Sequence, residues 1–457
     1  MSSGYSLGGC GLAFRPSTVK NSGEELPLKH LRRTTKAFMV ADVIDDTEEY
    51  VTLRRMISSI QTGCAFLNSV VVLGTLLAMD RPSGFAQEAP GVKAQVEARG
   101  IWIHPESQFS ADPEKGRLEV REFVRRFAQA NFNLILPWIR SAYVAALTDE
   151  NHRKSVPIAG WDALGELVKV AHESNVQVQV WYSFTDYHSP DSPDFNPKLG
   201  GNPAWAARRI DELVPDKTTG KVVPRRMNDV CPLHPEARKW QLRQIQTLLE
   251  RHPALDGIHI EEPGYGTRGN CVCDLCLELF KNMYGFPETN SVDGVEAEDL
   301  KCLGTTDFMR QLGELLNQRN PKLVLSANGG YAWRGDRRQG RDWGRWAHLG
   351  WLDYYAAQVY TGNLNDFSSR VQTVCRDLKP DCAVLVGIGV DWSGGGTNTL
   401  ETVLKEIETC RKLGADGVAL FHGRAITDAH LAALKAGPFR EPARLPERHR
   451  ALLQRRN

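Results

Sequence analysis

From Arg99 to about residue 438 the chain repeats one unit, a short β-branched or aromatic segment followed by an amphipathic segment of helical period. Eight strands are predicted, at residues 100–104, 133–139, 177–184, 257–262, 323–328, 354–360, 383–391 and 417–422. A doubly wound open sheet rarely runs to eight sequential units, and no glycine-rich phosphate loop follows the first strand. The repeat therefore predicts an α/β fold, a single (β/α)8 barrel over residues 99–438.

The predicted helices follow the strands, and the segment after the fifth strand is only weakly helical. They cover residues 118–130, 161–173, 235–251, 307–319, 364–378, 400–413 and 428–434. Asn131, Asn175 and Gly414 stand just before strands, where a left-handed residue commonly ends a helix. These endings support the register of the repeat.

The region before the barrel has the order of an export signal. Residues 1–55 show no sustained period and are predicted to be unstructured or untranslated, with translation starting at Met56. The apolar stretch 64–79 and the small residues up to Ala86 predict a signal peptide over 56–86, then a linker over 87–98. A retained anchor and a buried helix of a cytosolic protein are the alternatives. We expect a secreted or periplasmic protein without stable membrane insertion after processing, ending in a polar tail over 439–457.

Charge and aromatic content indicate the class of partner. The 56 basic and 55 acidic residues nearly cancel, so no broad positive field is available for nucleic acid. All eleven tryptophans lie at or after Trp102. A neutral partner fits this composition better.

Carboxylates stand where two predicted strands end, at the face on which barrels carry their active sites. Glu261 and Glu262 end the fourth strand, and alternation sends them to opposite sides. Asp391 ends the seventh strand, so carboxyl groups from nearly opposite walls can flank a sugar, as glycoside hydrolysis requires. The alternatives are an ion pair of a glutamate with Arg140 or Arg424, and a loop cap formed by Asp391.

Other strand ends carry polar and aromatic side chains that suit sugar binding. The predicted substrate-binding residues are His104, Arg140, Tyr182, Asp186, Asn328, Gln358, Tyr360, Trp392, His422 and Arg424. Trp102, Trp138 and Trp181 also lie on or beside strands, where each could instead belong to the core.

Three cysteines follow the fourth strand in a C-x-C-x-x-C run, Cys271, Cys273 and Cys276. A tetrahedral zinc site needs a fourth ligand, for which Cys231 is preferred over Cys302 because it stands on the loop before the helix leading into the fourth strand. Four thiolates would make the metal structural. A disulfide pattern is the alternative, although the neighbours in C-x-C are poorly placed to bridge one another.

The barrel resembles the glycosyl-hydrolase-like family 10 group of bacterial proteins. The resemblance spans about residues 99–437 and rests on RGIWI at 99–103, DGIHIE at 256–261, DYYAAQVY at 353–360 and GADGVALF at 414–421. It implies a barrel related to glycoside hydrolases. In that family the fourth strand usually ends in aspartate, sometimes doubled, so Glu261 takes the aspartate's place and Glu262 the next one.

The cysteine segments look like the zinc-binding cysteines of family 42 β-galactosidases, which also follow a fourth-strand glutamate. The analogy implies Glu262 as the acid and Asp391 at the nucleophile position, where that family has glutamate. The separation of the two carboxyl groups decides between retention and inversion.

These observations predict an exported glycosidase that cleaves O-glycosidic bonds, with Glu262 as proton donor and Asp391 as second carboxylate. Glu261 is expected to raise the pKa of its neighbour or to be the acid itself. One alternative is a carbohydrate-binding barrel without turnover, and another is a metal-dependent hydrolase that uses the cysteines.

Overall fold

The computed structural model describes residues 95–148, 156–183, 202–215, 219–265, 271–285, 294–391 and 398–446. The predicted leader and signal peptide, Asp186 and Trp392 lie outside these residues. Within the described part of the chain, no helix is both long and apolar enough to cross a membrane.

Eight parallel strands form a closed barrel, as the sequence repeat predicts. The described strands are β1 (Gln95–Val96), β2 (Ala98–Ile103), β3 (Leu134–Ile139), β4 (Gln177–Tyr182), β5 (Ala206–Pro215), β6 (Val222–Val230), β7 (Gly257–Ile260), β8 (Val324–Gly329), β9 (Tyr354–Gln358), β10 (Ala383–Gly389), β11 (Gly417–Phe421) and β12 (Ala443–Arg444). Around the barrel the order is β2-β3-β4-β7-β8-β9-β10-β11, closing on β2. The (β/α)8 fold is thereby confirmed.

Helices cover the outside of the barrel and follow the strands in chain order. They are α1 (Pro105–Gln108), α2 (Pro113–Gln129), α3 (Ser141–Thr148), α4 (Pro157–Gly160), α5 (Ala163–Glu173), α6 (Pro235–Arg251), α7 (Asp274–Tyr284), α8 (Val295–Arg319), α9 (Trp333–Arg337), α10 (Trp343–His348), α11 (Leu364–Leu378), α12 (Leu400–Lys412) and α13 (Asp428–Ala436). The weak signal after the fifth barrel strand corresponds to two short helices, α9 and α10. Helices α3 and α7 and the antiparallel β5–β6 hairpin lie in segments for which the sequence analysis predicts no element.

Side chains alternate between two cores because parallel barrel strands are buried on both faces. Trp102, Leu136 and Tyr354 belong to the core inside the barrel. Ile101 and Ile103, next to Trp102 in the chain, belong to the core between strands and helices. Each strand thus sends every second residue toward the barrel axis.

The predicted helix endings have left-handed backbone conformation. Asn131 has φ of 62°, Asn175 of 56° and Gly414 of 80°. Each residue reverses the chain from a helix into the next barrel strand, which is why asparagine and glycine occupy these positions.

The segments just before and just after the barrel pair with each other at the amino-terminal ends of the barrel strands. Strand β1 pairs in parallel with β12, so strand residues lie within both the predicted linker and the predicted tail. Buried Glu97 accepts hydrogen bonds from Arg99 Nε at 2.7 Å and from Arg411 Nε at 2.6 Å. This ion network fixes the first barrel strand to helix α12.

Candidate active site

Glu261 lies directly after β7, over the interior of the barrel. His259, two residues earlier, faces the interior, where its ring lies 6.0 Å from that of Trp102. Trp181 Nε1 and Asn328 Nδ2 both donate hydrogen bonds to Glu261 Oε2, the latter at 2.6 Å. One carboxylate oxygen is therefore held by two donors, from β4 and from β8.

The electrostatic surroundings of Glu261 favour its protonated form. Burial, followed by the nearby Glu262 carboxylate, raises the pKa of Glu261 to about 7. The hydrogen bonds from Asn328 and Trp181 and the charge of Arg341 act in the opposite direction but are outweighed. A carboxyl group of this kind can hold and release a proton near neutral pH.

Glu262 has a different environment although it is the next residue. Its φ of 34° turns the chain away from the strand, and its Oε2 lies 2.5 Å from Nη2 of Arg341. The Glu262 side chain is 34% exposed and that of Arg341 only 5%. The partner of Glu262 in this ion pair is Arg341 rather than the Arg140 or Arg424 considered from the sequence.

Asn328 holds both glutamates in place. Its Oδ1 accepts the backbone N–H of Glu262 at 2.8 Å, while its Nδ2 donates to Glu261. The residue is 1% exposed. These contacts give Asn328 a role in positioning the two carboxylates, and its predicted role in substrate binding stays a prediction.

Asp391, His422 and His104 follow the strands β10, β11 and β2, which are neighbours in the barrel. Asp391 Oδ2 is 3.4 Å from Nε2 of His422, whose ring is 5.6 Å from that of His104. Burial, followed by His422 and Arg140, lowers the pKa of His104. Arg140 Nη2 itself lies 3.5 Å from Glu106 Oε2.

The charges of the Glu261–Glu262 pair and of Asp391 all act on Tyr360. Burial first, and then the charges of Glu261, Glu262 and Asp391, raise the pKa of Tyr360 well above its ordinary value. All three predicted catalytic carboxylates therefore act on one phenol, which remains protonated. The Tyr360 ring lies 5.6 Å from that of Phe421.

Aromatic rings surround these carboxylates at the carboxyl ends of the barrel strands. The rings of Trp138 and Trp181 meet edge to face with centroids 4.3 Å apart, and the His104 ring is 5.2 Å from that of Trp181. Trp102 is fully buried below them and belongs to the interior core. Trp138, His104 and Tyr360 are only partly buried and remain accessible to a ligand.

The remaining predicted binding residues have different positions. Tyr182 is fully buried in the outer core, where its hydroxyl donates to Gln241 Oε1 of helix α6 at 2.5 Å. The structure thus places Tyr182 away from the other predicted binding residues, and Trp181 takes the inward position of that strand. Gln358 is half-buried at the end of β9, and Arg424 is exposed in the turn after β11.

Cys231, Cys271, Cys273 and Cys276 form a buried cluster beside the barrel. Their sulfur atoms all lie within 4.8 Å of one another, and the chain brings them together as free thiols. Cys276 Sγ is 3.4 Å from that of Cys231 and 3.5 Å from that of Cys273. A tetrahedral ion about 2.3 Å from each sulfur would hold the sulfurs about 3.8 Å apart. The cluster could therefore bind a metal ion.

Cys302 lies outside the cluster, with its Sγ 3.6 Å from the carbonyl oxygen of Arg337. Arg341 is the site residue that sequence reasoning missed. It follows the weakly marked segment after β8, and no motif links it to a glutamate 79 residues earlier in the chain.

The described barrel is similar to solved glycoside hydrolases. The glycoside hydrolase domain of PgaB (BpsB) from Bordetella bronchiseptica matches with a TM-score of 0.55 and 12% identity, over 74% of this chain and 98% of that one. A β-galactosidase from Bacillus circulans sp. alkalophilus matches with a TM-score of 0.50 and 15% identity, over 72% of this chain and 51% of that one. The chain thus spans about half the length of the galactosidase. These similarities support the fold.

A GH42 β-galactosidase from G. stearothermophilus gives the same TM-score of 0.50 and 15% identity, over 72% of this chain and 51% of that one. No curated protein matches the sequence significantly. The model of the family described as glycosyl hydrolase-like 10 matches residues 97–388, which include the barrel from β2 to β10 and both glutamates. Because that match covers more than half of the chain, the chain belongs to the glycosyl hydrolase-like 10 family.

Proposed function

We propose that the protein is a glycoside hydrolase that cleaves an O-glycosidic bond of a carbohydrate, with Glu261 as the proton donor. The observation that carries the proposal is the position of the Glu261 carboxyl at the carboxyl end of a barrel strand, where Trp181 and Asn328 hold one of its oxygens and burial raises its pKa to about 7. This revises the sequence prediction of Glu262 as donor. Arg341 lies 2.5 Å from the Glu262 carboxylate, whereas burial raises the pKa of the Glu261 carboxyl.

The hydrogen bonds of Glu261 indicate which oxygen carries the proton. Oε2 accepts N–H groups from both Trp181 and Asn328 and therefore acts as an acceptor. The proton of the neutral acid then resides on Oε1, from which it can pass to the leaving-group oxygen. Burial, followed by the neighbouring Glu262 carboxylate, raises the pKa of Glu261 and thereby supports this role.

Asp391 is the second carboxylate of this proposal. His422 Nε2, at 3.4 Å from Asp391 Oδ2, can orient it. Glycoside hydrolysis needs one protonated and one ionised carboxyl group on the two sides of the scissile bond. The accessible rings of Trp138 and Tyr360 offer apolar faces for the sugar.

The proposed cation of the cysteine cluster is zinc in a structural role. Four thiolates match the ligand type and number of a closed tetrahedral zinc site and leave no position for a substrate. Bound there, zinc would connect the end of hairpin β5–β6 to the start of helix α7. Zinc analysis of the purified protein, before and after Cys273→Ser substitution, tests this assignment.

Export remains part of the proposal and rests on the sequence pattern of residues 56–86. Sequencing the amino terminus of the protein recovered from cell fractions tests it. A mature chain starting near Gln87 outside the cytoplasm is expected, and an intact leader in the cytosol would contradict export.

The decisive experiment compares Glu261→Gln with Glu262→Gln in release of reducing sugar from a panel of polysaccharides and aryl glycosides. Removing a general acid costs about 10²–10⁴-fold in rate. We expect that loss for Glu261→Gln on natural linkages and a smaller one on dinitrophenyl glycosides, whose leaving group needs no proton. Glu262→Gln should lose less.

Other outcomes separate the alternatives. Equal losses of both variants on both substrate types would contradict Glu261 as donor. If the parent releases no sugar but binds glycans in calorimetry, the protein is a carbohydrate-binding barrel without turnover. If chelation stops release while the fold persists, the metal-dependent hydrolase replaces the two-carboxylate scheme.

A further inference from the structure

Tyr265 lies between the cysteine cluster and the glutamate pair. It follows Glu262 by three residues and is 4% exposed. Its hydroxyl is 3.5 Å from Cys231 Sγ, and its backbone N–H donates to the carbonyl of Gln339 at 2.7 Å. The side chain thus reaches the sulfur cluster, while its backbone is bound to the segment that carries Arg341.

The direction of the hydroxyl–sulfur bond follows from metal chemistry. A cysteine that ligates a metal is a thiolate and has no proton to donate. With the cluster loaded, the Tyr265 hydroxyl must therefore be the donor and Cys231 Sγ the acceptor. Donors of this kind fix the orientation of a ligand and typically change metal affinity by about 10–100-fold.

The short segment from Glu262 to Tyr265 is held at both ends. At one end Glu262 is bound by Arg341 and Asn328. In the middle, a Cβ added at Gly264 would lie 2.3 Å from the Gln339 carbonyl oxygen and 2.8 Å from Arg341 Cγ, so the two backbones are in close contact. At the other end Tyr265 is anchored to Cys231. A displacement of Tyr265 is therefore transmitted to Glu262 and its arginine.

We infer that Tyr265 is a positioning residue that couples metal binding at the cysteine cluster to the geometry of the Glu261–Glu262 pair. The part of this inference that concerns catalysis rests on the proposed function, whereas the part that concerns the metal does not. Tyr265 acts through Cys231 on one side and through the backbone of residues 262–265 on the other.

The test compares Tyr265→Phe with the parent and with Tyr284→Phe in the full chain. Tyr284 lies in the same hydrophobic cluster, but its hydroxyl donates to the carbonyl of Glu296. Transfer of zinc from each protein to a chromophoric chelator measures retention of the metal. We expect Tyr265→Phe to lower zinc affinity by about tenfold or more, and Tyr284→Phe to retain zinc like the parent.

A second measurement follows the ionisation of Glu261 and does not require turnover of a substrate. Trp181 donates to Glu261, so the ultraviolet difference spectrum of tryptophan reports ionisation of this carboxyl, and Glu261→Gln identifies the step. Since the charges of Glu262 and Arg341 both act on the pKa of Glu261, a displacement of this pair shifts the midpoint. We expect a shifted midpoint for Tyr265→Phe and an unchanged one for Tyr284→Phe.

Two results would overturn the inference. Either Tyr265→Phe retains zinc as the parent does, or zinc affinity falls while the Glu261 midpoint stays fixed. Neither measurement requires a substrate, so a parent protein without glycosidase activity contradicts the proposed function and leaves this test intact.

Discussion

Replacing Glu406 by glutamine tests whether burial controls the ionisation of this barrel's acidic residues. Glu406 lies on α12 and is fully buried. Its two carboxylate oxygens are 3.2 and 3.4 Å from Asn398 Nδ2, and Asn398 in turn donates to the Gly389 carbonyl at 2.8 Å. The carboxyl thus connects helix α12 through Asn398 to the end of strand β10.

Burial raises the pKa of Glu406 to about 8, from an ordinary value of 4.5. A carboxyl whose pKa is higher in the folded than in the unfolded state contributes its full stability below pH 4.5, and this contribution is lost as the pH rises toward 8. At 1.36 kcal/mol per pKa unit, the loss between pH 5 and pH 8 is about 3.5 kcal/mol. Glutamine does not titrate, so the variant lacks this loss.

The measurement is urea unfolding of both proteins at pH 5, 6, 7 and 8. We expect the free energy of unfolding of Glu406→Gln, relative to the parent, to rise by about 3.5 kcal/mol over this range. Glu401→Gln is the matched control on the same helix. Glu401 is 77% exposed beside Lys405 and should be ionised in both states throughout the range. A constant difference between Glu406→Gln and the parent would refute the reasoning.

Three further predictions address the site, the cysteine cluster and the barrel ends. Asn328→Ala removes a hydrogen bond that lowers the pKa of Glu261, so the alkaline limb of the pH–rate profile should move up by about one pH unit; an unmoved limb would argue against Glu261 as the acid. Cys273→Ser should reduce bound zinc to well below one equivalent and lower the melting temperature, as measured by metal analysis and calorimetry; full zinc occupancy would exclude Cys273 as a ligand. Glu97→Gln leaves Arg99 and Arg411 without their carboxylate and should lower the free energy of unfolding by about 3 kcal/mol; a change below about 1 kcal/mol would mean that the pairs are replaced by solvent.

The barrel could be predicted from the sequence because its signals are local. Each strand–helix unit carries its own hydrophobic period, and the residues at Asn131, Asn175 and Gly414 mark helix endings through backbone conformation alone. The β5–β6 hairpin escaped prediction because its strands, such as AARRIDELVP over Ala206–Pro215, are rich in charge and lack apolar alternation.

The candidate site could be predicted only to the level of strand ends. Tyr182 and Trp181 are neighbours on one strand, so only one of them can face the barrel axis, and the position of strand β4 assigns that place to Trp181. Arg341 and Tyr265 contact site residues through loop packing, which no periodicity encodes. The cysteine cluster was accessible to sequence reasoning because metal-ligand spacing is itself a short-range pattern.

The two adjacent glutamates explain why identical residues need a structure before they can be assigned roles. In the sequence the two glutamates differ only in the face of the strand that each is predicted to occupy. The backbone places the Glu261 carboxyl over the barrel interior and turns that of Glu262 toward Arg341. The two environments are coupled, because the Glu262 carboxylate contributes to the raised pKa of Glu261 while the charge of Arg341 lowers it. Exchanging Arg341 for methionine should therefore move the Glu261 midpoint in the tryptophan difference spectrum upward, and an unchanged midpoint would contradict this coupling.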